Sequence, residues 1–267
     1  AAERQRVPHH LLDVVDLTAG FDAAQFVQLA HAANEAIIRR GKTPIFCGGT
    51  GFYFKAYLQG LGQSPPADPD LRAELERRPM TMLVAELKER DPVMFGQIDR
   101  QNRRRVIRAL EVVLVSGQPY STQRALWRES ANHGPVDERP GQDGGTFLGL
   151  ERRADDLRGR IEDRVERMFE LGLVTETKRL LSQGLDGNPT AQQAIGYRQV
   201  IEHLRGERSL AETKELVKQR TRQFAKRQRT WFRRQLALDW VVIGDREPVD
   251  AVVDQLMVRV CRERDEH

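Results

Sequence analysis

The chain has 267 residues, with 43 Lys and Arg, 39 Asp and Glu, and a formal net charge of +4. This length suits one large domain or one domain with an insertion, and the small net charge argues only modestly for a nucleic-acid partner. The two cysteines, Cys47 and Cys261, exclude a disulfide framework and lack metal-ligand spacing, which favours a reducing cytoplasm. Because the chain has neither a run of about 18 apolar residues nor the apolar core of a signal peptide, we expect no membrane association and no export.

The first part of the chain is predicted to alternate strands and helices. Leu11–Val15 is a short apolar run, Phe21–Arg40 has the apolar spacing of a helix, and Thr43–Cys47 is a second apolar run after Gly41. This order predicts a βαβ unit in a parallel sheet. In such sheets, ligands bind at the carboxyl ends of the strands.

A glycine-rich turn follows the second predicted strand and leads into a predicted helix. Gly48, Gly49 and Gly51 can adopt backbone angles closed to other residues, and Thr50 places a hydroxyl beside the amides of the helix N-terminus. The turn therefore predicts a site for phosphate or another anion. A tight strand-to-helix turn with Thr50 as its N-cap is an equal alternative on these four residues.

The middle of the chain is predicted to be a helical insertion. Pro65–Pro69 is a rigid linker, and the sequence after it predicts helices over Leu71–Arg90, Asp91–Ile98, Arg103–Ser116 and a stretch through Trp127. We assign the insertion to residues 76–133, between two parts of an α/β core, residues 1–75 and 134–267.

The last part returns to strands and helices. Thr146–Leu150 and Trp240–Ile243 are predicted strands. Amphipathic patterns predict helices over Arg158–Ser182, Ala191–Leu204, Leu210–Leu236 and Val249–Arg262.

The helix predicted over Leu210–Leu236 carries a basic stripe. A helical wheel places five cations within an arc of about 80°, and Glu215 is the one acid within Lys214–Arg234: Lys218, Arg222, Lys226, Arg229 and Arg233. A solvated basic face is the ordinary alternative. The scarcity of acids on this helix favours contact with a phosphate backbone.

A second basic cluster opens the helix predicted at Arg103. Cations in a first turn oppose the helix dipole, so a polyanionic partner would explain them: Arg100, Arg103, Arg104, Arg105 and Arg108.

Six longer motifs occur in order: PHHLLDVVD, PIFCGGTGFYFKA, PPADPDLRAELE, RRRVIRALEV, AIGYRQ and TRQFAKRQRTWFRR. Together they resemble the tRNA dimethylallyltransferases, or tRNA isopentenyltransferases, over nearly the whole chain. The resemblance implies a P-loop NTPase-like parallel sheet flanked by helices. It also implies transfer of a dimethylallyl group from dimethylallyl diphosphate, with Mg²⁺, to N6 of adenosine 37 in the anticodon stem-loop of tRNA. It is consistent with a cytoplasmic monomer.

The resemblance also assigns roles to residues. Thr50 and Arg72 match catalytic positions at the mouth of the channel where the target base meets the prenyl donor, and Gly48, Gly49 and Gly51 line that channel. The tRNA-binding positions that it implies are Arg104, Arg105, Arg108, Gln193, Gly196, Tyr197, Arg198, Lys226, Arg227, Arg229 and Arg233.

One departure from the family pattern concerns the phosphate loop and the general base. The family pattern begins with a Walker A loop and a D-S-x-Q segment whose Asp is the base, and neither occurs here; the GKT at Gly41–Thr43 runs from helix into strand. We therefore expect both features upstream of residue 1, no metal ligand in this chain, and no activity from this chain alone. A catalytically silent RNA-binding remnant and a relative of nucleoside-phosphate kinases remain alternatives.

Overall fold

The computed structural model of the protein describes residues 2–61, 64–123 and 146–265. The chain divides into two compact units, one formed by Ala1–Lys55 with Asp143–His267 and the other by Ala56–Gln142. The predicted helical stretch from residue 124 to Trp127 and the predicted end of the insertion at residue 133 lie outside the described residues. No helix in the described part of the chain is both long enough and apolar enough to cross a membrane.

The described part of the first unit holds helices around a short parallel sheet. Its elements are α1 (Ala2–Arg6), α2 (Ala23–Arg39), the start of α3 (Gly51–Gln59), β1 (Leu148–Arg152), α8 (Ala154–Glu170), α9 (Leu173–Ser182), α10 (Tyr197–Leu204), α11 (Leu210–Gln235), β2 (Asp239–Ile243) and α12 (Val249–Asp265). Two 3₁₀ turns, Leu185–Gly187 and Ala191–Gln193, join α9 to α10.

The described part of the second unit is helical. It contains the end of α3 and four further helices, α4 (Pro69–Arg77), α5 (Met80–Arg90), α6 (Pro92–Gln97) and α7 (Arg103–Ser116), and residues 120–123 form one more helical turn. Its core lies between α5 and α7, where Leu83, Leu87 and Leu110 are fully buried. Each such side chain contributes about 1.5–3 kcal/mol through burial.

The two strands predicted at Thr146–Leu150 and Trp240–Ile243 are present as β1 and β2, and they pair with each other. β1 and β2 are parallel, in a register that runs from Leu148 opposite Asp239 to Arg152 opposite Ile243. Gly149 lies against Trp240, because a Cβ at Gly149 would be 2.8 Å from the indole ring. The absence of a side chain at Gly149 thus makes room for the indole.

The prediction of the first two strands is wrong, because neither is formed within the described residues. Leu11–Val15 contains two left-handed residues, Leu11 with φ 60° and Asp13 with φ 55°, which are incompatible with an extended strand. Thr43–Cys47 has no ladder partner in the described part of the chain, and Ile45 is 87% exposed. An apolar run becomes a strand only when a neighbouring strand accepts its backbone hydrogen bonds.

Three long predicted helices are interrupted. The helix predicted over Leu71–Arg90 breaks between α4 and α5 at Pro79, because the residue before a proline avoids helical angles, and Arg78 has ψ 144°. The helix predicted over Arg158–Ser182 is interrupted at Gly172, which has φ 99°. The helix predicted over Ala191–Leu204 is interrupted at Gly196, which has φ 105°. Glycine tolerates these angles and so allows the chain to change direction there.

Candidate functional site

The glycine turn is shaped by close packing and not by unusual backbone angles. The left-handed glycines of the described chain do not include Gly48, Gly49 or Gly51, so the turn does not use the positive φ angles that glycine allows. A Cβ at Gly51 would lie 2.1 Å from the ring of Trp231, and one at Gly49 would lie 2.3 Å from Nε2 of Gln228. The glycines therefore let the turn approach α11.

Two further contacts hold the start of α3 against the end of α11. The rings of Phe54 and Phe232 meet edge to face at 6.1 Å, and Nζ of Lys55 donates to Oε1 of Gln235 at 2.9 Å. The glycine turn and the basic helix are thus neighbours in one unit, although most of the sequence lies between them.

Thr50 lies directly before α3 with its side chain exposed. Its carbonyl oxygen accepts from the amide of Tyr53 at 2.9 Å, but its hydroxyl has no hydrogen bond among the described residues. The structure therefore gives no support to a side-chain N-cap, and the hydroxyl is available to a ligand.

Arg72 is anchored by a fully buried carboxylate in the second unit. Nη2 of Arg72 donates to Oε2 of Glu111 at 2.6 Å, and Nη1 of Arg108 donates to the same oxygen at 2.7 Å. Glu111 is 0% exposed, whereas 39% of the Arg72 side chain is exposed. Two guanidinium groups against one carboxylate leave one uncompensated positive charge that reaches solvent.

Glu111 and Arg108 also hold the proline-rich linker. Oε1 of Glu111 accepts from the amide of Asp68 at 3.1 Å, and Nη2 of Arg108 donates to the carbonyl of Pro65 at 2.7 Å. These bonds explain why the linker belongs to the unit that begins at Ala56. Arg108, predicted to bind tRNA, thus has structural partners.

The remaining arginines at the start of α7 differ in their surroundings. Nη2 of Arg103 donates to the carbonyls of Glu76 and Arg78 at the end of α4, and the guanidinium of Arg100 lies 4.9 Å from the ring centroid of Phe95. Arg104 and Arg105 are exposed and make no ion pair within the described residues. Of this cluster, Arg100, Arg104 and Arg105 are exposed and have no acidic partner among the described residues, so they are open to an external anion.

The predicted basic stripe of α11 faces acids on α8. Glu166 pairs with Lys214 at 2.6 Å and with Lys218 at 2.7 Å, and Arg222 pairs with Glu162 at 3.2 Å. Hydrogen bonds from Lys214 and Lys218 lower the pKa of Glu166 to about 2. The stripe therefore has acidic partners that a single-helix wheel cannot show.

The other end of the stripe pairs with β1. Glu151 binds Arg229 at 3.2 Å and Arg233 at 2.5 Å, and the guanidinium of Arg233 also lies 5.2 Å from the ring centroid of Trp240. Four of the five stripe residues thus have an acidic partner on another element. Lys226 is the stripe member without an ion pair in the described chain.

Arg198 and Gln193, both predicted to bind tRNA, lie side by side. Nη1 of Arg198 donates to Oε1 of Gln193 at 3.0 Å, and Nε donates to Glu202 at 3.2 Å. The side chain of Arg198 remains exposed. The pair presents a guanidinium and an amide at the start of α10.

Tyr197 and Gly196 shape the turn into α10. The hydroxyl of Tyr197 donates to Glu176, and burial together with this bond raises the pKa of Tyr197 to about 12. The amide of Gly196 donates to Oε1 of Gln199 at 2.9 Å. Both residues thus have internal roles that hold the motif in place.

One residue that sequence reasoning missed also supports this turn. Nδ2 of Asn188 donates to the carbonyls of Leu17 and Ala19, at 2.8 and 3.1 Å, and its Oδ1 accepts from the amides of Thr190 and Ala191. Asn188 therefore ties a distant early segment to the turn that carries Gln193. From the sequence, only the turn tendency of the Asn-Pro pair at residues 188–189 could have suggested a role.

Comparison with known proteins identifies the family. The sequence model of the IPP transferases matches residues 1–235. The chain belongs to this family. It is 44% identical, over 245 residues, to tRNA dimethylallyltransferase 1 of Trichlorobacter lovleyi, and the match covers 90% of this chain and 77% of that protein.

Solved structures of IPP transferases share the fold. The full-length tRNA isopentenylpyrophosphate transferase of Bacillus halodurans has a TM-score of 0.67 at 33% identity, with 100% of this chain and 81% of that chain covered. A eukaryotic dimethylallyltransferase acting on tRNA has a TM-score of 0.66 at 26% identity, with 91% of this chain and 61% of that chain covered. These matches confirm the resemblance and the P-loop NTPase-like class, although the described residues form only two parallel strands.

Proposed function

We propose that this protein transfers a dimethylallyl group from dimethylallyl diphosphate to N6 of adenosine 37 in tRNA. The observation that carries the proposal is the 44% identity, over 90% of the chain, to a protein named tRNA dimethylallyltransferase 1. In the reaction a bond forms between N6 and C1 of the donor. The C1–O bond breaks, diphosphate leaves with the bonding electrons, and N6 gives a proton to a base.

The described residues can be assigned to binding and orientation. The target base must leave the anticodon stack before its N6 can reach the donor. We assign the exposed hydroxyl of Thr50 and the anchored guanidinium of Arg72 to contacts with the substrates. Arg104, Arg105 and Arg198, which are exposed, are assigned to the tRNA backbone.

A magnesium ion was expected with the diphosphate. The described residues contain no group of three or more His, Cys, Asp or Glu side chains that could hold a metal ion. The Mg²⁺ that the family resemblance implies stays a prediction, and no step of the reaction is assigned to it. Action on tRNA as a cytoplasmic monomer remains part of the proposal.

The test is restoration of the modified nucleoside in cells. The complete gene for this protein is expressed in a bacterium whose own tRNA dimethylallyltransferase gene has been deleted. We expect mass spectrometry of digested tRNA to show N6-dimethylallyladenosine, mapped to the position 3′ to the anticodon.

Two controls decide what a negative result means. The Trichlorobacter lovleyi enzyme serves as the positive control, and circular dichroism of the purified protein reports folding. If the positive control restores the nucleoside and the folded protein does not, the proposed transfer is wrong. Tight tRNA binding in that case would favour the silent RNA-binding alternative.

A further inference from the structure

From Gln219 to Arg234, one side of α11 is exposed and basic and carries no acid. Seven residues fall within an arc of about 120° on the helix, and all seven are exposed. Four are cations and three are neutral hydrogen-bonding residues, and we call them together the free face: Arg220, Lys226, Arg227 and Arg234, with Gln219, Gln223 and Thr230.

Residues of α11 outside the free face are fixed by packing. Val217 is 1% exposed and packs with Ile161 and Val165 of α8, while Gln228 and Trp231 contact the glycine turn. These contacts determine the rotation of the helix about its axis. The free face is therefore held toward solvent along nearly its whole length.

The cations of the free face lack acidic partners in the described chain. Nη1 of Arg220 reaches Oε1 of Gln223 at 3.5 Å, and the guanidinium of Arg227 lies 6.0 Å from the ring centroid of Phe224. Lys226 and Arg234 also make no ion pair with the described residues. The free face thus carries uncompensated positive charge.

Whether a cation is already paired with a carboxylate of the protein decides how strongly it binds RNA. A cation that is already bound to a carboxylate must exchange that partner for a phosphate, whereas an unpaired cation gains the phosphate contact and releases counterions. Amide and hydroxyl groups between the cations add hydrogen bonds to phosphate and sugar oxygens. Because α11 rises about 1.5 Å per residue, Arg220, Arg227 and Arg234 recur about every 10 Å along it.

We propose that the free face is the side of α11 that binds the tRNA backbone, in place of the stripe of Lys218, Arg222, Arg229 and Arg233. The proposal rests on the proposed function for the identity of the RNA. The stripe instead anchors α11 to Glu166, Glu162 and Glu151 and so presents the free face. Lys226, at the edge of both sets, is included.

The test compares two triple variants with the same loss of charge on one helix. The free-face variant is Arg220→Gln, Arg227→Gln and Arg234→Gln, and the matched variant is Lys214→Gln, Lys218→Gln and Arg222→Gln. Fluorescence anisotropy measures binding of each variant, and of the parent chain, to unmodified tRNA over a series of KCl concentrations.

We expect the free-face variant to lose about tenfold or more in affinity. The slope of log affinity against log salt should fall by about 2 to 3, as for three lost phosphate contacts. The matched variant should keep the parent slope, and its change should appear in thermal stability. A second probe, Gln223→Glu, places one negative charge inside the free face without changing the shape of the side chain and should also weaken binding.

The outcomes separate the inference from the proposed function. If both triple variants lose affinity and slope equally, or the matched variant loses more, the choice of face is wrong while tRNA binding stands. If the parent binds tRNA no better than it binds a duplex DNA of similar length, the tRNA assignment fails, and the inference fails with it. Melting curves of all variants confirm that the proteins compared are folded.

Discussion

Nε2 of Gln228 donates a hydrogen bond of 2.8 Å to the carbonyl oxygen of Gly49. This bond joins the glycine turn, which carries Thr50, to the helix that carries the free face. The turn to which we assign a substrate contact and the helix that we assign to the tRNA are therefore physically connected. A structural change at the turn should therefore also affect the packing of α11.

Replacing Gly51 with alanine should disturb that connection. The added methyl group would lie 2.1 Å from the Trp231 ring, so the ring must move, and we expect Gly51→Ala to cost about 1–3 kcal/mol of stability. Urea unfolding measures the loss. Gly159→Ala is the matched control, since a Cβ there meets nothing within 4 Å and alanine favours the α8 helix. Equal losses in the two variants would show that Gly51 is not a close-packed position.

Thr50→Ala should affect catalysis more than stability. The hydroxyl is exposed and makes no hydrogen bond within the described chain, so we expect the stability to change by less than about 0.5 kcal/mol. As a substrate contact, its loss should lower kcat/KM about tenfold or more in the enzyme expressed from its complete gene. Thr50→Ser should restore most of the activity. Unchanged turnover in Thr50→Ala would remove Thr50 from the site.

Glu111→Gln should destabilise the second unit. The change leaves the guanidiniums of Arg72 and Arg108 without a counter-charge, although water can reach part of both side chains, so we expect a loss of about 2 kcal/mol. Chemical unfolding measures it, with Glu89→Gln on the exposed surface of α5 as the comparison. A loss no larger than that of Glu89→Gln would mean that the buried carboxylate adds nothing to stability.

Acid should weaken the contact between α8 and α11. The pKa of Glu166 is lowered on folding from 4.5 to about 2, so the unfolded chain takes up the proton more readily. The stabilisation is therefore fully present above about pH 4.5 and is lost as the pH falls toward 2. The melting temperature should fall less steeply over this interval in Glu166→Gln than in the parent. Parallel pH curves would exclude a stabilising ion pair, and Glu170→Gln on the same helix is the control.

Arg103 and Arg104 should respond differently to the same substitution. Arg103→Gln removes a donor from the carbonyls of Glu76 and Arg78 and should lower the melting temperature with little effect on tRNA binding. Arg104→Gln removes an exposed cation and should leave the melting temperature unchanged. It should reduce the salt slope of tRNA binding by about 0.7 to 0.9. Identical effects on both properties would refute this division of the cluster.

The sequence by itself determined the family, the reaction class and many of the helices. The motifs are local, and so are the signals that start helices: Asp22 and Gln25 form the capping box of α2, and Ser209 and Glu212 form that of α11. Local signals also predicted β1 and β2, since each is a short apolar run. The two strands pair with each other in this chain. The sequence could not determine that Thr43–Cys47 would have no strand partner among the described residues.

Only the tertiary structure decided which charges are available and why the glycines are required. Glu162 is 60 residues from Arg222 and Glu151 is 82 residues from Arg233, so a wheel drawn on one helix could not include them. Gln228 is likewise 179 residues from Gly49. Whether a cation is free depends on the acids that packing brings beside it. That packing is set by the buried contact of Val217 with α8, which fixes the side of α11 that remains exposed.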